Sequence, residues 1–198
     1  GCEDSGICRI DPDTEEITRW IYPDTTFDAL VYLPLSHQLL VSEVRKGEKA
    51  IRFTFVNSDT GAIVADTPTI EDGGSVASWV TDGGDLVYGM HPYRATLFAY
   101  SLAERRIVKR LHEMGLGDNC NQCLVFGPDG RIWGLTVRCV FAAERDLSRF
   151  EVVADYEDHA GLNANRFGMC ADPEGRVYFP NGLHLMRIQS SGTIYKKN

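Results

Sequence analysis

At 198 residues the chain is long enough to bury one sizeable core, and a composition that is 43% hydrophobic and 24% charged excludes a disordered or fibrous polymer. Its net charge of −8 excludes a nucleic-acid or anionic-membrane binder, because polyanion binding rests on clustered positive charge. The densest basic group, Arg105, Arg106, Lys109 and Arg110, is interrupted by Ile107 and Val108 and followed by Glu113, and no apolar run approaches the ~20 residues that span a bilayer.

The chain opens on Gly1-Cys2 rather than Met, with no visible signal peptide. That start is compatible with the remnant of a lipoprotein cleavage site, which tilts the expected location toward an extracytoplasmic compartment without fixing it. Cysteines 2, 8, 120, 123, 139 and 170 are too sparse for the framework of a small disulfide-stapled scaffold.

Taken in chain order, the sequence repeats one unit. Residues 1–22 carry two short apolar runs, starting at Ile7 and Ile17, around the polar turn DPDTEE. Each of the next four segments, about 27–68, 75–114, 121–157 and 166–198, begins with a hairpin, expected at 28–43, 76–89, 122–134 and 167–180. Its turn is marked in succession by His37, Gly84, Gly130 and Gly175, and the returning arms start at Leu39, Leu86, Ile132 and Val177.

Third runs start at Ile7, Phe53, Leu97, Val140 and Leu185, and fourth runs ten residues later at Ile17, Ile63, Ile107, Phe150 and Tyr195. Landmarks that keep step in this way predict four short strands per ~45-residue unit, the size of a propeller blade. The stretch from Leu102 to Met114 contains good helix formers, but Ile107 shares its register with Ile17, Ile63 and Phe150, so a strand is expected there.

The segments ICRIDPDTEEITRW, CLVFGPDGRIWG and GMCADPEGRVYF carry a resemblance. The first resembles the outer strands, and the other two the inner hairpins, of propellers in the streptogramin lyase, NHL and gluconolactonase-like superfamilies. The resemblance implies an all-β propeller of four-stranded antiparallel blades, and it does not settle function. With four inner hairpins against five outer pairs, the expectation is four full blades plus one outer half, part of a ring of six to eight blades whose missing inner hairpin lies before residue 1. The alternative is a four-bladed ring in which residues 7–21 complete the last blade.

In propellers of this kind ligands usually meet one face, formed by the connections entering each inner hairpin and those between second and third strands. On this chain the first set is 23–28, 71–75, 115–121 and 157–166, and the second is 45–49, 91–94, 136–138 and 181–184. The ligand-binding candidates in these loops are His91, Arg94, Asp118, Asn119, Asn121, Arg138, Asp158, His159, Asn163, Asn165, Asn181 and His184. Amides, histidines and arginines around one mouth suit a polar ligand such as a sugar or a carboxylate, although Asn and Asp also favour turns for backbone reasons alone.

Cys120-Asn-Gln-Cys123 is a single CxxC without the second pair that a zinc site needs, and it lacks the helix that opens redox motifs. Cys139 with His91 or His159 leaves a composite site open, but Cys123 aligns with Leu30 and Ala77, so a small buried thiol is expected there. Glu157, Asp158 and His159 offer a base and an orienting carboxylate, with a solvated acidic loop as the simpler reading. No catalytic residue and no resident metal are assigned. Trp20, Trp79 and Trp133 fall on strand positions and are expected to pack between blades.

The expected function is a binding module for a polar or carbohydrate-like ligand or for a protein. The alternatives are a lyase or hydrolase acting on a sugar or lactone with a divalent metal, and a structural or sensor module of a larger protein.

Overall fold

A computed structural model describes residues 6–22, 25–45, 51–66, 76–91, 96–111, 114, 116, 119–155, 168–181, 184–188 and 194–196. The described residues are built of β-strands joined by turns. They form four antiparallel four-stranded sheets and one two-stranded sheet, a propeller architecture in which every four-stranded sheet is a blade. The chain divides into two compact units, Gly1–Ser75 and Val76–Asn198.

The first unit holds the pair β1 (Gly6–Ile10) and β2 (Ile17–Ile21) and one blade, β3 (Thr25–Leu33), β4 (Gln38–Arg45), β5 (Arg52–Asn57) and β6 (Ile63–Asp66). Ile7 of β1 is buried with Val41 and Val56 of the blade, and Trp20, Tyr22, Phe27 and Leu39 close around them. The Trp20 ring lies over Gly61 so closely that an added Cβ would meet it at 2.3 Å, and the Tyr22 hydroxyl donates to the Gly61 carbonyl at 2.7 Å.

The second unit holds three blades. They are β7 (Ser78–Thr81), β8 (Leu86–His91), β9 (Thr96–Ser101) and β10 (Arg106–Leu111); then β11 (Asn119–Phe126), β12 (Ile132–Thr136), β13 (Cys139–Ala143) and β14 (Phe150–Asp155); then β15 (Cys170–Ala171), β16 (Val177–Asn181), β17 (His184–Ile188) and β18 (Ile194–Lys196). Within the stretch that contains the helix formers, Arg106–Leu111 forms a strand, β10, as the repeat register requires. In each blade the strands lie in sequence order, so the innermost strand is the first.

Neighbouring blades of this unit interlock. Strand β11 lies beside β7 and β8 on one side and β15 on the other. The Leu124 amide donates to the Ser78 hydroxyl at 3.1 Å, and Tyr88 meets Phe126 edge to face with centroids 6.1 Å apart. Arg145 pairs with Asp82, donates to the Gly130 carbonyl at 2.6 Å and stacks over Phe126 at 4.3 Å.

Strand pairing corrects the repeat register by one residue in two places. Ser42, Gly89, Gly134 and Phe179 are the true equivalents on the second strands, facing Phe53, Phe98, Phe141 and Met186 on the third. The second-strand landmarks therefore slip between Leu86 and Ile132, and the third-strand landmarks between Phe53 and Leu97. In the first of these blades the small residue is a serine. In the next two it is glycine, whose missing Cβ is replaced by a phenylalanine ring: an added methyl would stand 2.3 Å from Phe98 at Gly89 and 2.2 Å from Phe141 at Gly134.

The inner turns require a left-handed residue, found at His37, Gly83, Gly130 and Gly175. The second of these is one residue earlier than the expected Gly84. The outer turns do the same at Glu15, Gly61, Arg105 and Leu147, of which only one is glycine.

The outer turns at Asp13-Thr14 and Asp59-Thr60 are shaped by side-chain acceptors, and the Thr14 and Thr60 hydroxyl oxygens accept the Glu16 and Ala62 amides at 3.4 and 3.3 Å. Asp11 Oδ1 accepts the amides of Asp13 and Thr14 at 2.9 and 3.0 Å, and Asn57 Oδ1 those of Asp59 and Thr60 at 3.0 and 2.9 Å. All three tryptophans serve packing: Trp20 against Gly61, Trp79 edge to face with Phe98 at 5.5 Å, and Trp133 in the core of the second unit.

A candidate ligand-binding face

The two ends of the blades in the second unit differ in chemistry. One end carries the glycine turns, where an added Cβ on Gly175 would meet Pro128 of the preceding blade at 2.4 Å. At the opposite end the second strands β8, β12 and β16 stop at His91, Thr136 and Asn181, which hold equivalent places in the three blades. His91 pairs across to Thr96, and Asn181 to His184.

Thr136 closes the tightest of these ends. It is fully buried, and its hydroxyl oxygen accepts the amides of Arg138 and Cys139 at 3.2 and 3.1 Å. Only Val137 and Arg138 turn the chain, and both are exposed. Burial pushes the neighbouring Cys139 thiol up from its ordinary value, outweighing its hydrogen bond with Thr136.

Strand β11 is irregular at this same end. Asn119 pairs with Thr136 and Leu124 with Gly134, so residues 120–123 bulge out opposite Leu135 alone. The CxxC segment is thus a bulge in an innermost strand, a device that re-aims side chains and recurs beside binding sites. Cys123, at its inner end, is a thiol buried 3.9 Å from the Met90 sulfur, the packing role expected for it.

Of the twelve candidates, His91 is half-buried, and Arg138 and His184 are exposed. The backbone places Asn119 and Asn121 in β11, the latter within the bulge, and Asn181 at the end of β16. The topology therefore brings His91, Asn119, Asn121, Arg138, Asn181 and His184 to one end of three adjacent blades. Arg94, Asp118, Asp158, His159, Asn163 and Asn165 lie outside the described residues. Among the described residues no three His, Cys, Asp or Glu side chains gather as a metal site. The enzymatic alternative needs a metal held jointly by His91, Asp158 and His159, and of these Asp158 and His159 lie outside the described residues.

The first unit adds two carboxylates that the sequence reading passed over. Asp28 is the extra residue of a bulge in β3, and desolvation raises its carboxyl above the ordinary range although the residue as a whole stays exposed. Glu43, only 2% exposed, accepts the Thr54 hydroxyl at 2.8 Å, and with burial its charge helps raise the Tyr22 phenol. Register was the available signal for Glu43, since its equivalents Met90, Leu135 and Pro180 are not ionisable.

At the glycine-turn end an open groove of about 460 Å³ is lined by Asp129, Arg131, Glu144, Arg145, Asp146 and Arg149 among others. Its arginines are already neutralised: Arg131 by Asp129 and Glu151 at 2.7 and 2.6 Å, Arg145 by Asp82, and Arg149 by Glu144 at 3.2 Å. The groove is the seam of a structural ion-pair network.

No protein family and no curated protein matches the chain by sequence. Solved structures do match it in fold. A structure of a nidogen/laminin complex aligns with 98% of the chain and 75% of its own, at 12% identity and a TM-score of 0.71. The extracellular domain of a putative one-component system of B. thetaiotaomicron aligns over 99% of the chain but 28% of its own, at 15% identity and a TM-score of 0.65. Virginiamycin B lyase from Staphylococcus aureus aligns over 97% of the chain and 76% of its own, at 11% identity and a TM-score of 0.62. At these identities the likeness establishes the propeller fold, which hosts many unrelated activities.

Proposed function

We propose that the chain is a ligand-binding propeller module that takes a polar or carbohydrate-like ligand at the blade ends away from the glycine turns. The bulge of β11 at residues 120–123 carries this reading. It interrupts an innermost strand between the ends of β8 and β16, where His91 and Asn181 hold equivalent positions. Amide and imidazole groups recognise hydroxyl-rich or carboxylate ligands by directed hydrogen bonds, and they need no metal to do so. A protein partner on the same face is a second form of this reading, favoured by the likeness to a nidogen/laminin complex.

The reading is tested on a glycan array and a thermal-shift panel of oligosaccharides and sugar acids, with the unmodified chain beside His91→Ala and Asn121→Ala. A ligand that raises the melting temperature of the unmodified chain and of neither variant supports it. Hits that both variants retain in full would overturn it.

A further inference from the structure

We propose that the open edge of β1 and the adjoining apolar face of β3 form an acceptor surface for a two-stranded antiparallel hairpin of the same repeat, built like β7–β8 or β11–β12. In each four-stranded blade the third strand is hydrogen-bonded to the second: β5 to β4, β9 to β8, β13 to β12 and β17 to β16. Strand β1 is a third strand by register, because Ile10 faces Ile17 as Val56 faces Ile63, and the turns anchored by Asp11 and Asn57 are alike. Among the described residues it is paired with β2 alone.

A second observation is independent of that edge. Leu30 and Tyr32 on β3 face Val41 and Leu39 on β4, and so share the blade face that Ile7 and Trp20 cover further out. They are 49% and 45% exposed. The equivalents of Leu30 in the second unit, Val80 opposite Tyr88 and Val125 opposite Trp133, are partly buried against its core. A hairpin paired to β1 would lie over Leu30 and Tyr32, just as β1–β2 lies over the outer part of the same face. Main-chain bonds to the β1 edge supply affinity, and the apolar pair supplies register.

The chain itself states the chemistry of the occupant. Its second strand meets β1 with some residue opposite Ile7, where the other blades place Ser42, Gly89 and Gly134 opposite phenylalanines. Ile7 is smaller and leaves room for a larger residue, as Met186 does for Phe179. The occupant is therefore a hairpin of the repeat, and a second copy pairing edge to edge would leave Leu30 and Tyr32 uncovered.

In the test, a copy of residues 119–138 is joined ahead of residue 5, matching the spacing of β12 to β13, in the otherwise full chain. Amide exchange at Cys8–Ile10 is expected to slow by about tenfold or more, with a higher melting temperature and a monomer on size exclusion. Leu30→Ser should remove much of that gain while leaving the unextended chain unchanged. In a second arm a synthetic hairpin of residues 119–138 is added in trans to the unmodified chain, where saturable protection of the same amides is expected. Absence of protection in both arms overturns the proposal. So does a dimer of the unmodified chain that itself protects β1, because the occupant would then be a second copy.

Discussion

The indole of Trp133 fills the space over Gly127, where an added Cβ would meet its Cδ1 and Nε1 at 2.3 Å. The next blade makes the opposite choice at the same turn. There the residue before proline is Asp172 and the aromatic is Tyr178, whose hydroxyl donates to the Asp172 carboxylate at 3.1 Å. In the first case the carboxylate sits two residues later, on Asp129, which accepts the Trp133 indole at 3.0 Å and Arg131 at 2.7 Å. Two different residue sets thus hold one arginine and one aromatic on one turn.

Gly127→Asp alone is therefore expected to destabilise by about 1–3 kcal/mol through overpacking. The double change Gly127→Asp with Trp133→Tyr introduces the neighbouring turn's aspartate–tyrosine pair and should cost less than the sum of the single changes. Urea denaturation of the four-member cycle reads the coupling.

The same turns set an acid limb. Burial raises the Asp129 carboxyl, but hydrogen bonds from the Arg131 side chain and amide and from the Trp133 indole outweigh it, so the net shift is downward. Asp172 follows the same pattern with Arg176 and Tyr178. A carboxylate lowered on folding binds fewer protons in the native state, so its stabilisation is complete above the unfolded value of about 3.9 and is lost as pH falls through the folded value. Asp129→Asn should lower stability at pH 7 and much less near pH 3 (about one unit below that unfolded value), measured by urea melts at both.

Glu15 adopts a left-handed conformation, φ 59°, at the place where the next repeat has Gly61 at φ 71°. Their amides make the same turn bond, to the Asp11 and Asn57 carbonyls respectively, each at 2.9 Å. Glycine relieves a strain of roughly 1 kcal/mol and gives back part of it as unfolded-state entropy. Glu15→Gly should therefore stabilise by about 0.5 kcal/mol, whereas Gly61→Ala, blocked by Trp20, should destabilise clearly. Thermal denaturation checks both signs.

Thiol labelling of the native protein should modify Cys8 and Cys170, which are exposed, well before Cys123 and Cys139, which are buried. Site-resolved mass spectrometry under native and denaturing conditions distinguishes them. Native-state modification of Cys139 faster than Cys8 would contradict its raised thiol pKa.

The blade pattern was legible because burial on both faces of a blade forces apolar runs into a fixed period, and the turns repeat their left-handed residue. Register was legible only to within one residue. At Asp82-Gly83-Gly84-Asp85 two glycines compete for the left-handed position, and the structure uses Gly83 rather than Gly84. The site was less legible. Repeat spacing puts His91 and Asn181 at equivalent strand ends, but the bulge of residues 120–123 is a local departure from the period. Glu43 was missed because a single glutamate in a strand reads as a surface residue until its register neighbours are known.

The most direct test of the central claim, that ligand is received at the blade ends away from the glycine turns, is a residue-resolved amide map of the protein with and without a ligand from the glycan or sugar-acid panel. Protection or shift changes are predicted at His91, residues 119–123, Thr136–Cys139 and Asn181–His184. Changes confined to Asp129–Arg131 and Glu144–Arg149, at the other end of the same blades, would contradict it.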